Sequence, residues 1–128
     1  MRFKSIRNLL LLLLATFSIS SFADQVTDIT AAQLLADDSQ GRLILDVRSA
    51  EEFAAGHVPN AVNIPHDEIE GNIEQLINYQ DKSVVVYCRS GRRAAIAENI
   101  LLEHGFSNVM HLQGDMLGWQ ESKYPVEK

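Results

Sequence analysis

The sequence predicts an α/β fold in which helices cover both faces of a parallel β-sheet. Along the 128 residues, strand-like and helix-like segments alternate with short connections between them, which is the pattern of βαβ units. The most strand-like segment, residues 83–87, reads Ser-Val-Val-Val-Tyr, and such a β-branched, apolar run is typical of a strand buried on both faces. A length of 128 residues favours one domain, and no internal repeat or second domain is visible.

Two capping boxes mark helix starts in the first half of this domain. Thr30 precedes Gln33 by three residues, and Ser49 precedes Glu52 by the same spacing. In this motif the hydroxyl and the Glu or Gln side chain satisfy the free N–H groups at the start of a helix. The second of the two helices is expected to end at Gly56.

The remaining elements follow from the spacing of apolar residues. Ile69, Ile73, Leu76 and Ile77 recur at intervals that place them on one face of a helix, which predicts an amphipathic helix over residues 68–79. The same reasoning predicts strands over residues 43–45, 61–64 and 109–112, and helices over residues 92–104 and 116–120, with Trp119 turned inward.

The first 23 residues have the layout of a secretory signal peptide. A positively charged start, an apolar run over residues 9–17 and small residues at Ser21 and Ala23 follow one another, as in signal peptides that are cleaved on export. A retained membrane anchor is the alternative, but the apolar run is roughly half the length of about 20 residues that spans a bilayer. We therefore expect cleavage after Ala23, a mature domain over residues 24–128, and export to the periplasm.

The charge of the mature chain argues against two classes of partner. Residues 24–128 contain 8 basic and 17 acidic residues, a formal net charge of −9, which disfavours binding to nucleic acid or to an anionic membrane. Against this background, Arg89, Arg92 and Arg93 fall within five positions of one another. A local positive site on an acidic protein indicates an anionic small ligand.

Cys88, the only cysteine of the chain, opens the loop that carries these arginines. The loop Cys88-Arg89-Ser90-Gly91-Arg92-Arg93 follows the strongest strand and precedes a helix, and ligands of open α/β sheets bind at such strand ends. Backbone N–H groups of a tight loop and the positive end of the next helix form a cradle for an anion. They also favour a thiolate, so Cys88 is expected to be a nucleophile.

Two motifs of this chain resemble those of rhodanese domains. The loop from Cys88 to Ala94 resembles the active-site loop of that family, and the stretch from Leu45 to Pro65 resembles its preceding signature. The resemblance covers residues 27–126 and implies a small α/β domain with a five-stranded, largely parallel sheet. It implies no metal or organic cofactor.

The resemblance also assigns roles to the site residues. Cys88 would carry sulfur as a persulfide, while the five residues that follow it would bind the substrate. From the positions of the arginines around Gly91 we further expect Arg93 to brace the loop, and Arg89 and Arg92 to face the incoming anion. The residues expected to give structural support to the site are Asp46, Arg48 and His57.

With its signal peptide, the chain resembles periplasmic phage-shock-type thiosulfate sulfurtransferases. Thiosulfate would be the donor, and cyanide or a thiol the acceptor. The mature length of 105 residues with a single core predicts a monomer. The alternative is a persulfide carrier or sensor that binds a protein partner with little turnover. Related phosphatases place their arginine six positions after the cysteine; here that position is Ala94, which disfavours a phosphatase or arsenate reductase.

One departure from the family pattern concerns Gly114-Asp115. Family members often have two glycines there. Aspartate tolerates a left-handed backbone better than most residues, so the turn is expected to survive. The negative charge of Asp115 is expected near the mouth of the site, where it would weaken the binding of thiosulfate.

Overall fold

A computed structural model describes residues 15–16 and 25–128 of the chain. The predicted signal peptide therefore lies, apart from residues 15–16, outside the described residues. Within the described part, five strands form one sheet in the order β1-β5-β4-β2-β3, and the neighbouring strands pair in parallel. The strands are β1 (Thr27–Ile29), β2 (Leu43–Asp46), β3 (Val62–Asn63), β4 (Ser83–Tyr87) and β5 (Asn108–Leu112).

Five α-helices accompany the sheet in the described residues, and they cover both of its faces. Their bounds are α1 (Ala31–Ala36), α2 (Ala50–Ala55), α3 (Ile73–Leu76), α4 (Arg92–Glu103) and α5 (Asp115–Glu121). The predicted α/β fold with a five-stranded parallel sheet is thus confirmed. No helix of residues 15–16 and 25–128 has the length and apolar character needed to cross a bilayer.

The central strand β4 divides the core into two layers. Val84 and Val86 point into a cluster that includes α3 and α4, whereas Val85 and Tyr87 point into a cluster that includes α1 and α5. All four side chains are buried, as alternation along a strand requires when both faces are covered. This double burial explains why the strand reads as one continuous apolar run.

Both predicted capping boxes are present. The Thr30 hydroxyl accepts a hydrogen bond from the Gln33 backbone N–H at the start of α1, and the Gln33 side chain accepts one from the Thr30 N–H. Ser49 and Glu52 make the same exchange at the start of α2. Helix α2 ends at Gly56, which has a φ of 146°, in the range that favours glycine.

The prediction of one continuous helix over residues 68–79 is wrong. The segment consists of short 3₁₀ turns on either side of the single helical turn α3. Gly71 and Asn72 interrupt it: the Asn72 amide donates to the Glu68 carbonyl at 2.7 Å, which competes with the helical hydrogen bond. Ile69 is buried as predicted, but Ile77 is 46% exposed, so the apolar face is shorter than its spacing indicates.

Candidate active site

Cys88 lies directly after β4, at the carboxyl end of the central strand. Its side chain is almost enclosed, with 1% of the residue exposed. The Gly91 backbone N–H donates to the Cys88 Sγ at 2.9 Å. Gly91 has a φ of 117° and immediately precedes α4, and only glycine adopts this backbone without strain. The loop therefore turns an N–H group onto the sulfur, where it stabilises negative charge.

The start of the loop is held from behind by the first residues of α5. The N–H groups of Met116 and Leu117 donate to the carbonyls of Cys88 and Arg89 at 2.9 Å and 3.2 Å. In the opposite direction, the Cys88 N–H donates to the Asp115 carboxylate at 3.0 Å. These three hydrogen bonds fix the peptide groups on both sides of the cysteine.

The three loop arginines have different surroundings. Arg93 donates two hydrogen bonds to the Glu52 carboxylate of α2, at 2.7 Å and 3.0 Å. These bonds lower the pKa of Glu52 to about 2, so the pair is ionised at neutral pH. Arg89 and Arg92 are exposed, and neither forms an ion pair within the part of the chain that the structure describes.

Asp46 and Arg48 form a buried ion pair beside the strand ends. The Arg48 guanidinium donates to both Asp46 oxygens, the shortest distance being 2.7 Å, and to the Gly56 carbonyl at 2.9 Å. The Tyr87 hydroxyl donates to Asp46 at 2.7 Å, and burial raises the pKa of Tyr87 above its ordinary value. This network joins β2, β4 and the end of α2 at full burial.

His57 is also nearly buried, at 7% exposure. Its ring stacks on Phe53 with centroids 3.6 Å apart, and its Nδ1 lies 2.9 Å from the Phe53 carbonyl. Its backbone exchanges two hydrogen bonds of 2.9 Å with Glu127 near the chain end. His57 thus holds the loop after α2 and the C-terminal segment together.

A second network behind the loop was not predicted from the sequence. His111 of β5 has its Nδ1 2.9 Å from the Glu98 carboxylate and its Nε2 3.1 Å from the Asp115 carboxylate. These hydrogen bonds, that to Asp115 first, raise the pKa of His111 to about 10. The signal available in the sequence was Glu98, a charged residue on the otherwise apolar face of α4.

The position of Asp115 corrects one expectation. The residue is only 4% exposed, and its Oδ2 would lie 3.4 Å from a Cβ built on Gly91. Its carboxylate is therefore beneath the loop, where it is paired with His111 and the Cys88 N–H, and not free at the mouth. Its φ of 53° is left-handed, as the turn requires.

No metal centre is found among the described residues: they include no group of three or more His, Cys, Asp or Glu side chains arranged to hold an ion. Trp119 is 1% exposed, and its indole N–H donates to the Pro125 carbonyl at 2.8 Å. It belongs to the core and offers no platform for a ligand.

A parallel sheet whose central strand is followed by a cysteine, with a loop N–H hydrogen-bonded to its sulfur, defines the class as a small α/β domain with a cysteine at the carboxyl end of the central strand. The sequence profile of the rhodanese-like domain matches residues 30–122. The chain belongs to the rhodanese-like domain family.

Known proteins similar to this chain include a sulfurtransferase of Allochromatium vinosum, 30% identical over 103 residues that cover 80% of this chain and 94% of that protein. A tRNA uridine(34) hydroxylase of Pectobacterium carotovorum is 34% identical, but the match covers 74% of this chain and 26% of the hydroxylase. The solved structure of a rhodanese-related protein from Thermoplasma volcanium has a TM-score of 0.69 and 32% identity, covering 79% of this chain and 97% of that one. The family match and the sulfurtransferase relative support sulfur transfer in general, whereas the hydroxylase match indicates that the domain also occurs in proteins with other roles.

Proposed function

We propose that the protein is a thiosulfate sulfurtransferase that carries sulfur as a persulfide on Cys88. The observation that carries the proposal is the 2.9 Å hydrogen bond from the Gly91 N–H to the Cys88 Sγ. An N–H group aimed at this sulfur stabilises the thiolate that attacks the donor. It can equally stabilise the negative terminal sulfur of the persulfide that results.

The proposed reaction has two steps. In the first, the Cys88 thiolate attacks the outer sulfur of thiosulfate, the sulfur–sulfur bond of the donor breaks, and sulfite leaves with the bonding electron pair. In the second, cyanide or a thiolate attacks the outer sulfur of the persulfide. The Cys88 thiolate leaves and is ready for another donor, so no external oxidant or reductant is required.

The surroundings of Cys88 favour a small anionic donor. Because only 1% of Cys88 is exposed, only a donor of small cross-section can reach its sulfur. Arg89 and Arg92 are exposed beside it, and their charges attract a dianion. Arg93 forms an ion pair with Glu52. Arg89 and Arg92 are therefore the cations expected to attract the donor.

Intact-protein mass spectrometry tests the first step. Residues 24–128 are reduced, incubated with thiosulfate and weighed, beside a Cys88→Ser control. We expect the natural protein alone to gain the mass of one sulfur atom. A protein that gains none from thiosulfate would contradict the choice of donor.

The second step separates an enzyme from a carrier. Cyanide added to the loaded protein should remove the extra mass and yield thiocyanate, over many cycles when thiosulfate is in excess. A single discharge without repeated turnover would favour the persulfide carrier.

We further propose that the protein acts in the periplasm after cleavage following Ala23. The proposal is supported by the charged start and apolar run of the first 23 residues. Expression of the full chain in a Gram-negative host, followed by fractionation and N-terminal sequencing, tests it. A mature chain beginning at Asp24 in the periplasmic fraction is expected; a full-length chain in the cytoplasm would refute the proposal.

A further inference from the structure

Two buried carboxylates and a partly buried histidine lie directly behind the reactive loop. Glu98 of α4, His111 of β5 and Asp115 of α5 are joined by hydrogen bonds of 2.9 Å and 3.1 Å through the His111 ring. Glu98 and Asp115 are 5% and 4% exposed. Buried carboxylates are costly unless they are paired, and neither of them exchanges a proton, an electron pair or sulfur in the two chemical steps proposed above.

The set is connected to the cysteine through its backbone. Asp115 offers one oxygen to His111 and the other to the Cys88 N–H, at 3.0 Å. The next two residues of α5 donate their N–H groups to the carbonyls of Cys88 and Arg89. The peptide before Cys88 and the peptide after it are therefore both oriented by α5.

We propose that Asp115 is a positioning residue for sulfur transfer, held in place by His111 and Glu98. It orients the Cys88 peptide so that the loop closes with the Gly91 N–H on the sulfur. It acts through the loop and does not touch the donor. This inference rests on the proposed sulfur transfer, but it concerns the geometry of Cys88 whichever donor is used.

The alternative effect of Asp115 is electrostatic. A carboxylate beneath the loop could repel an anionic donor, in which case its removal would improve binding. The charged groups that surround the loop, and that any pH profile of Cys88 must include, are Asp46, Glu52, Arg89, Arg92, Arg93, Glu98, His111 and Asp115.

Two substitutions separate position from charge. Asp115→Asn removes the charge but keeps an oxygen that can accept the Cys88 N–H, whereas Asp115→Gly removes both. Asparagine and glycine both tolerate the left-handed backbone at this position, so backbone strain is not the cause of any difference. Glu121→Gln, at the exposed end of the same helix, is the matched control.

The first measurement needs no sulfur donor. The rate of Cys88 alkylation by iodoacetamide is followed against pH for the natural protein and the three variants, after circular dichroism has shown that each is folded. We expect Asp115→Gly to change the pH profile and Asp115→Asn to stay close to the natural profile. An Asp115→Gly profile identical to that of Glu121→Gln would overturn the proposal.

The second measurement uses thiosulfate and separates maximal rate from affinity. We expect Asp115→Gly to lower the maximal rate of persulfide formation about tenfold, the cost of one unmade buried hydrogen bond, with little change in the half-saturating thiosulfate concentration. Asp115→Asn should recover most of the rate. Faster loading or tighter thiosulfate binding in either variant would instead establish repulsion and overturn the proposal.

The two proposals fail in different ways. If the natural protein takes no sulfur from thiosulfate, the donor is wrong, and the alkylation profile alone decides the role of Asp115. If loading is normal in every variant, sulfur transfer stands and the positioning role is rejected.

Discussion

Cys88 is nearly enclosed by its own loop, and this burial sets the terms on which its sulfur can react. A thiol in an apolar pocket without a donor would favour its neutral form. At Cys88 the Gly91 N–H reaches the sulfur at 2.9 Å, and cationic side chains stand outside. The enclosure therefore limits which molecules can approach the sulfur, while the loop supplies a hydrogen-bond donor to its negatively charged form.

The exposed loop arginines should govern affinity for the donor. We expect the double substitution Arg89→Ala and Arg92→Ala to raise the thiosulfate Michaelis constant by about tenfold or more, since each lost charge-assisted contact is worth over 1 kcal/mol. The maximal rate should change less, because the hydrogen bond to the Cys88 sulfur comes from the Gly91 N–H and not from either side chain. Steady-state kinetics at constant ionic strength measure both quantities.

Two results bear on this expectation. Lys123→Ala, which removes a cation from the exposed residues that follow α5, should leave the Michaelis constant unchanged. An unaltered Michaelis constant in the double variant would show that the donor binds elsewhere.

His111 should make stability depend on pH on the alkaline side. Its two carboxylate partners raise its pKa from 6.5 to about 10, so the folded protein binds the proton more tightly than the unfolded chain. This contribution is complete below pH 6.5 and is lost as the pH rises toward 10. The free energy of unfolding of the natural protein should therefore fall toward that of His111→Gln between these values.

Urea unfolding at several pH values measures the difference in the free energy of unfolding between the natural protein and His111→Gln. His66→Gln, which replaces a histidine outside the Glu98 and Asp115 network, is the control and should keep a constant offset from the natural protein. If the difference in the free energy of unfolding between the natural protein and His111→Gln does not shrink as the pH rises, the raised pKa of His111 is contradicted.

At the scale of single elements, two glycines with opposite environments can be compared. Gly114, before α5, has a φ of 86°, and a Cβ there would lie 3.3 Å from the Gly118 Cα. Gly71 has no atom within 4 Å of such a Cβ and no positive φ. The first glycine is required by the backbone, whereas the second interrupts a segment that could otherwise be more helical.

Alanine at these two positions should have effects of opposite sign. We expect Gly114→Ala to destabilise the protein by about 1 kcal/mol or more, because of the left-handed backbone and the close helix contact. Gly71→Ala should stabilise it by about 0.4–1 kcal/mol, because it restricts the unfolded chain. Urea midpoints compare the two, and a destabilised Gly71→Ala would show that the turn at Asn72 needs glycine beside it.

Sequence reasoning succeeded for elements whose signals are local. The capping boxes at Thr30 and Ser49 and the apolar strand β4 depend on residues within a few positions of one another, and the structure has all three. It failed over residues 68–79 because the Asn72 side chain bonds the Glu68 carbonyl, and apolar spacing carries no information about that competition.

In the candidate site, too, the features with local sequence signals could be predicted, whereas those that depend on contacts between distant residues could not. The loop from Cys88 to Arg93 is contiguous, so its position between strand and helix could be predicted. The network of Glu98, His111 and Asp115 joins three elements, and only the folded sheet brings these residues together. Asp115 is a departure from the family pattern that the sequence alone shows, but its burial depends on partners that only the folded structure brings to it.

At the scale of the whole molecule, the C-terminal segment closes the side of the domain that holds α5 and the loop after α2. The Trp119 indole N–H donates to the Pro125 carbonyl, and Glu127 exchanges backbone hydrogen bonds with His57. The family match ends at residue 122, so Pro125 and Glu127 lie beyond the matched region, whereas their partners Trp119 and His57 lie within it. This C-terminal clamp joins the last part of the described chain to the middle of the sequence.

Removal of residues 125–128 should weaken the fold. We expect a loss of about 1–3 kcal/mol, because the buried indole N–H of Trp119 loses its acceptor. Circular dichroism during urea unfolding measures the loss. Glu127→Ala, which keeps the backbone bridge, is the control, and a truncated chain as stable as this variant would show that the clamp contributes nothing.

Helix α5 carries both the contacts to the reactive loop and the only tryptophan of the chain. Its first turn bonds the carbonyls of Cys88 and Arg89, and Trp119, the only tryptophan of the chain, lies within its seven residues. A shift of the loop when sulfur arrives would therefore be carried to the indole within two turns of helix. The domain contains its own optical reporter, through which empty and loaded states could be followed by intrinsic emission without any attached dye.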